Sequence, residues 1–127
     1  MNPIENANSN KSDHENYIPV ITRKETAIVN INEVFYIETE LRIVNIYTGS
    51  RVYRFYGKLD DVVKYLNGSF HRCHKSCIIN LDKIVRMEDG IFYFSGGMTL
   101  RIGQNSYQQT RIHYIKYLEQ NFSLLLK

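Results

Sequence analysis

Residues 42–57 read RIVNIYTGSRVYRFYG. Val44 and Ile46 alternate with Ile43, Asn45 and Tyr47 up to the turn at Gly49-Ser50, and Tyr53 and Phe55 alternate with Arg54 beyond it. Period-two alternation on both sides of a glycine-containing turn predicts a β-hairpin, with one face buried and one left to water or a partner. The flanking segments keep the rhythm. YIPVIT, TAIVNI and EVFYIET precede it, separated by polar residues at Lys24-Glu25 and Asn30-Asn32. FHRCHKSCIINL and KIVRME follow with strand character, and Asp89-Gly90 turns the chain from KIVRME into IFYFSGG and MTLRIG. Two segments break the pattern. In KLDDVVKYLNG, Leu59, Val62, Val63 and Leu66 fall at helical spacing, Asp60 and Asp61 suit the positive N-terminal end, and Asn67-Gly68 supplies a stop. From about Tyr107 to Phe122, Ile112, Ile115, Leu118 and Phe122 recur at helical intervals and predict a closing helix. The expectation is a mainly β domain of about nine strands and two helices, with no internal repeat.

Composition bounds the rest. The chain has 127 residues, 43% hydrophobic and 23% charged, the balance of one soluble globular domain. No apolar run approaches the roughly 20 residues of a membrane helix, and the polar N-terminus has no signal-peptide core, so a cytoplasmic location is expected. Residues 1–16 hold Lys11 against Glu5, Asp13 and Glu15, with Asn at five positions, and read as a flexible polar tail or linker. Residues 17–127 hold fifteen Lys and Arg against ten Asp and Glu, a net of +5, and read as the folded domain. A basic domain points toward nucleic acid or another anionic surface.

The densest polar cluster is His71-Arg72-Cys73-His74-Lys75-Ser76-Cys77. Two His and two Cys are zinc-type ligands, but along one strand His74 faces away from residues 71, 73 and 77, and no second ligand pair lies elsewhere. A Cys nucleophile with a His base meets the same objection, so neither a metal site nor an enzyme is expected, and no cofactor motif is present. A Cys73–Cys77 disulfide is not expected either, because four residues of one strand hold the sulfurs too far apart. Arg72, His74, Lys75 and Ser76 suit a polar edge that touches phosphates and bases. Arg42, following the loop Thr39-Glu40-Leu41, and the polar stretch Gly103–Ser106 before the last helix could join it. The abundant tyrosines, ten in all, fit a packed sheet surface with wet hydroxyls better than a stacking platform for single strands.

FHRCHKSCIINLDKI resembles the signature of LytTR DNA-binding domains: an aromatic residue, Arg, His, a Lys/Arg/Asn and Ser, then an apolar pair, Asn and a spaced Ile. Here these are Phe70, Arg72, His74, Lys75, Ser76, Ile78, Ile79, Asn80 and Ile84. INEVFYIET followed by RVYRFYGKLDDV is similar to the family's order of strand, hairpin and short helix, and FYG and RCH resemble its accessory-gene-regulator branch of response regulators. The resemblance covers roughly residues 17–120. It implies a ten-stranded fold of three small sheets with short helices. It also implies a sequence-specific regulator that binds duplex DNA through loops in successive major grooves, commonly on paired direct repeats, with a second copy on the adjacent site. By position it implies base contacts from Arg42, where that branch has His, from Lys75, where it has Asn, and from Asn105, where the family commonly has Arg or Lys. Lys58, Arg72, His74, Ser76 and Arg101 are then candidates for phosphate contact or loop support. A redox partner for Cys73 near Leu100, found in some members, has no counterpart. Most members carry a receiver domain before this one and act in two-component systems of bacteria; only sixteen residues precede Tyr17 here, which suits either a stand-alone domain or a piece of a longer regulator. The competing reading is a protein-interaction module that modulates a partner regulator and has little DNA affinity of its own.

Overall fold

A computed structural model describes residues 16–123. The tail expected over residues 1–16 therefore lies, apart from Asn16, outside the described residues, as do residues 124–127. Ten strands form three antiparallel sheets. A two-stranded ribbon pairs β1 (Tyr17–Ile21) with β2 (Thr26–Asn30). A five-stranded sheet has the order β5-β4-β3-β7-β6, from β3 (Val34–Glu40), β4 (Ile43–Thr48), β5 (Val52–Tyr56), β6 (Phe70–His74) and β7 (Cys77–Asn80). A three-stranded sheet has the order β10-β9-β8, from β8 (Ile84–Glu88), β9 (Ile91–Phe94) and β10 (Thr99–Arg101). Helix α1 is a single turn, Asp60–Val63, and α2 runs from Gln104 to Asn121.

The tenth strand comes from the segment read as one run. FHRCHKSCIINL is a hairpin that reverses at Lys75-Ser76, with His74 opposite Cys77 and a bulge between Arg72 and His74. No Gly, Pro or Asn-Gly marks that turn, so the sequence signal for a reversal is missing there.

The expectation of one buried face and one face left to water is corrected, because the five-stranded sheet carries core on both faces and β3 buries Val34, Phe35, Tyr36 and Ile37 in succession. Ile37, Val44, Ile46 and Ile78 meet Ile18, Val20 and Val29 of the ribbon and Leu59 and Val62 around α1. Tyr36, Cys73, Cys77 and Ile79 meet Leu81, Ile84, Phe92, Phe94 and Tyr107. The ribbon is also pinned at its turn, where Arg51 grips Glu25 with two hydrogen bonds of 2.9 Å. Two corners share one device. In Asn30-Ile31-Asn32-Glu33-Val34 and Asn80-Leu81-Asp82-Lys83-Ile84 a strand ends in an Asn whose side-chain oxygen accepts the backbone N–H two residues on, at 2.9 and 3.1 Å. A 3₁₀ turn with a buried Ile31 or Leu81 follows, then the next strand.

The start of the expected closing helix is corrected. Helix α2 begins at Gln104, three residues earlier than read, and buries Tyr107 and Thr110, while Ile112 and Phe122 are largely exposed. Tyrosine wins the inner face because its hydroxyl finds partners there. Tyr114 donates to the Ile84 carbonyl at 2.8 Å, and Tyr117 to Asp82 Oδ1 at 2.7 Å. Burial and the bond to Asp82 push the Tyr117 hydroxyl up to about 12. At α1, Leu59 and Val62 are buried, while Val63 is exposed.

Where α2 crosses β6, the rings of His71 and His113 stack with centroids 4.1 Å apart. Burial, and secondarily the neighbouring imidazole, pushes the His71 pKa below the ordinary 6.5. A histidine that the fold keeps neutral takes up its proton more readily in the unfolded chain. Its contribution to stability is therefore intact above pH 6.5 and is lost as pH falls below that value. Thermal denaturation between about pH 7.5 and pH 5 should show Tm falling with acid. His71→Phe, which keeps a ring against His113, should flatten that fall.

Candidate nucleic-acid interface

One end of the five-stranded sheet gathers the turns that carry most of the candidate contacts. The β3–β4 turn is Leu41-Arg42, and the Arg42 carbonyl accepts from Gly57 N at 3.0 Å. Gly57 sits where a side chain would meet Asp61 Oδ2 at 2.9 Å and the Phe55 ring at 3.0 Å, so a larger residue would have to displace the Asp61 carboxylate. Next along the chain, Lys58 N donates to Asp61 Oδ2 at 2.8 Å, which fixes the entry into α1. Asp60 then meets Arg72 Nη1 of β6 at 2.7 Å, and Arg72 Nη2 donates to the Lys75 carbonyl at 2.6 Å. The path closes where Thr39 N donates to the Ser76 carbonyl at 2.9 Å, back on β3. Arg42, Lys58 and Lys75, far apart in sequence, are thus held on one hydrogen-bonded rim.

The tip of the β6–β7 hairpin is shaped from within. Ser76 N donates to His74 Nδ1 at 3.2 Å, and the Ser76 hydroxyl lies 2.9 Å from the same nitrogen. A ring nitrogen that accepts from the backbone carries no proton, which leaves the proton on Nε2. Arg72 is engaged at both ends of its guanidinium, and His74 and Ser76 are engaged with each other. Lys75, between them, is exposed, and no side-chain hydrogen bond or ion pair among the described residues holds it, nor Arg42, Lys58 or Asn105.

Asn105 was expected in a loop. It is the second residue of α2, exposed on the first turn behind Gly103, whose position supplies no side-chain cap. The helix therefore presents free N–H groups and its positive end beside Asn105. Its direction follows from two contacts: Tyr117 lies at Asp82, past the start of β6, and His113 lies at His71. The helix runs antiparallel to β6, so Asn105, eight residues or about 12 Å before His113, points toward the end where β6 turns at Lys75. Arg101 closes β10 and donates to the Asp89 carbonyl at 3.4 Å, on the wall of a groove of about 470 Å³ shared with Gln104 and Gln108.

Sequence reasoning missed two parts of this region. Asp60 and Asp61, read as helix-end charges, are the tethers of the rim. Next to Arg42, a cleft of about 340 Å³ floored by Ile43, Phe55 and Tyr56 is rimmed by Arg23, Lys24 and Arg54. The alternation of Arg54 with Phe55 was visible in sequence, but its meeting with the ribbon turn was not.

The cysteine geometry is also corrected. Cys73 and Cys77 are not spaced along one strand but face each other across the hairpin, and Cys73 Sγ lies 3.6 Å from the Cys77 carbonyl. The distance argument against a bridge therefore does not hold, although both thiols are free and buried. The hydrogen bond shared with Cys73, together with burial, pushes the Cys77 thiol up, away from a reactive thiolate. Among the described residues no three His, Cys, Asp or Glu side chains are placed to hold a metal ion. Tyr36 and Tyr107 are buried, and Tyr47 stacks on Tyr36 and donates to Glu38 at 3.0 Å, so these rings serve the core. No helix among the described residues is long and apolar enough to cross a membrane.

Comparison with solved structures finds the LytTr DNA-binding domain of a Bacillus cereus protein described as a methyl-accepting/DNA response regulator. The TM-score is 0.65 at 18% identity, over 79% of this chain and 96% of that one. Such a likeness carries the fold, three small sheets and one main helix. A search of curated proteins finds no match. The family model for the LytTr DNA-binding domain matches residues 24–123, a span that takes in the whole rim and all of α2. The chain belongs to the LytTR family of DNA-binding domains.

Proposed function

We propose that this domain reads duplex DNA sequence-specifically, as the output domain of a bacterial, cytoplasmic transcription regulator. Arg42 and Lys75 approach guanine edges and Asn105 an adenine edge, from turns and a helix end entering successive major grooves. Lys58 and Arg101, with Arg23, Lys24 and Arg54 at the neighbouring cleft, neutralise phosphates. Arg72, His74 and Ser76 support the Lys75 turn and do not contact DNA. The domain is a monomer that pairs with a second copy on adjacent direct repeats. The observation that carries this reading is the division of labour at the rim. The residues flanking Lys75 are spent on holding its turn, while Arg42, Lys75 and Asn105 are exposed and hold no side-chain bond among the described residues.

Selection of bound duplexes from a randomised pool at two salt concentrations tests it. Enrichment of a spaced direct repeat is expected. Affinity should fall with salt along a log–log slope of about −4.5, from five phosphate contacts at roughly 0.9 each. No enrichment and no salt dependence would overturn the reading in favour of a protein-interaction module.

A further inference from the structure

Leu41 occupies the first position of the two-residue β3–β4 turn with φ 59°, in the left-handed region. Among the described residues only Leu41 and Asp89 do so without being glycine. Asp tolerates that conformation through its short polar side chain, whereas leucine sets its Cβ against the following carbonyl. Strain of this kind is usually repaid by packing, yet the Leu41 side chain is 95% exposed. The turn thus carries two costs, a disfavoured backbone and an apolar tip in water, and the domain itself recovers neither. Glycine or asparagine would remove both.

The position of the turn indicates where the return lies. Leu41 stands between Glu40 and Arg42, on the rim that also holds Lys58 and Lys75. The apolar feature of a base edge in the major groove is the 5-methyl group of thymine, and an aliphatic side chain is the complement it takes. We infer that Leu41 is a specificity residue that packs on the thymine methyl next to the base pair read by Arg42, selecting an A·T pair at that step. The inference rests on the proposed reading that this rim faces the major groove.

The test uses the operator recovered by selection, with each thymine replaced in turn by deoxyuridine, which lacks only the methyl. For the wild-type domain one replacement should weaken binding about fourfold, the value of one buried methyl group. Leu41→Gly should bind the unmodified operator about fourfold more weakly and lose the penalty at that thymine. Its free domain should melt a few degrees higher, because glycine accepts the positive φ. Leu41→Ala, which keeps the Cβ and its strain, should show the same binding loss without the gain in Tm. The inference is overturned if no deoxyuridine replacement affects the wild-type domain, or if the penalty survives in Leu41→Gly. Failure of the wild-type domain to hold any duplex at low salt overturns instead the reading of the rim on which it rests.

Discussion

Replacing Asn80 with alanine is expected to cost the domain about 3 kcal/mol of stability, from the loss of one buried hydrogen-bond hub. Asn80 is 2% exposed. Its Nδ2 donates to the Val34 carbonyl at 2.9 Å, and its Oδ1 accepts from Ser69 Oγ at 3.0 Å and from Asp82 N at 3.1 Å. Alanine leaves the Val34 carbonyl without that donor in a site where the Val34 residue itself is fully buried, and it frees the corner that sends β7 into β8. Each unsatisfied buried group costs about 1–3 kcal/mol. Urea denaturation measures the loss, and Tm should fall by roughly 10 °C. Asn30 supplies the control: it makes the same turn from a half-buried position with one side-chain bond, so Asn30→Ala should cost only about 0.5–1 kcal/mol. Equal losses at the two corners would mean that the buried bond to Val34 adds nothing.

Lys75→Ala is expected to weaken specific DNA binding by about 1–3 kcal/mol while leaving Tm unchanged. The side chain stands at a hairpin tip whose shape depends on its neighbours and on its own carbonyl, none of which the substitution removes. Fluorescence anisotropy on the selected operator and on a random duplex reads the effect. A loss confined to the operator identifies a base contact, whereas equal losses on both, with the salt slope reduced by about 1, identify a phosphate contact. Arg72→Ala gives the contrasting case. It releases both Asp60 and the Lys75 carbonyl, so operator binding should fall through a loosened turn even though Arg72 itself is proposed to touch no DNA.

The strands were legible as short runs rich in Val, Ile and aromatic residues bounded by polar breaks, and the hairpin at Gly49-Ser50 carries its own turn signal. The hairpin at Lys75-Ser76 was not, since its reversal depends on a bulge at Cys73 and a bond from Arg72 to the Lys75 carbonyl, neither marked by a turn residue, and on a bond from Thr39, far away in sequence. The closing helix was legible as an element but not in its orientation. Periodicity marks Ile112, Ile115, Leu118 and Phe122, whereas the packed face is chosen by tyrosine hydroxyls meeting Asp82 and the Ile84 carbonyl. Its start was misplaced because Gly103 offers no capping side chain, so Gln104-Asn105-Ser106 reads as loop. Of the candidate site, Arg42, Lys75 and Asn105 were reached through the resemblance of the whole segment. Asp60 and Leu41 were not, because one matters through a partner twelve residues away and the other through a backbone angle.

The rim has a consequence for how such a domain changes over time. The bonds that hold Lys75 in place run through its carbonyl and through its neighbours, and those that hold Arg42 run through its backbone. Neither residue's own side chain bears on the fold. If the rim reads DNA as proposed, exchanging lysine and asparagine at the tip, or arginine and histidine on the adjacent turn, should alter what is read without a toll on folding. On that reading a new sequence preference would be reachable by changes that selection on stability does not oppose, and a laboratory library randomised at residues 42, 75 and 105 should remain almost entirely folded.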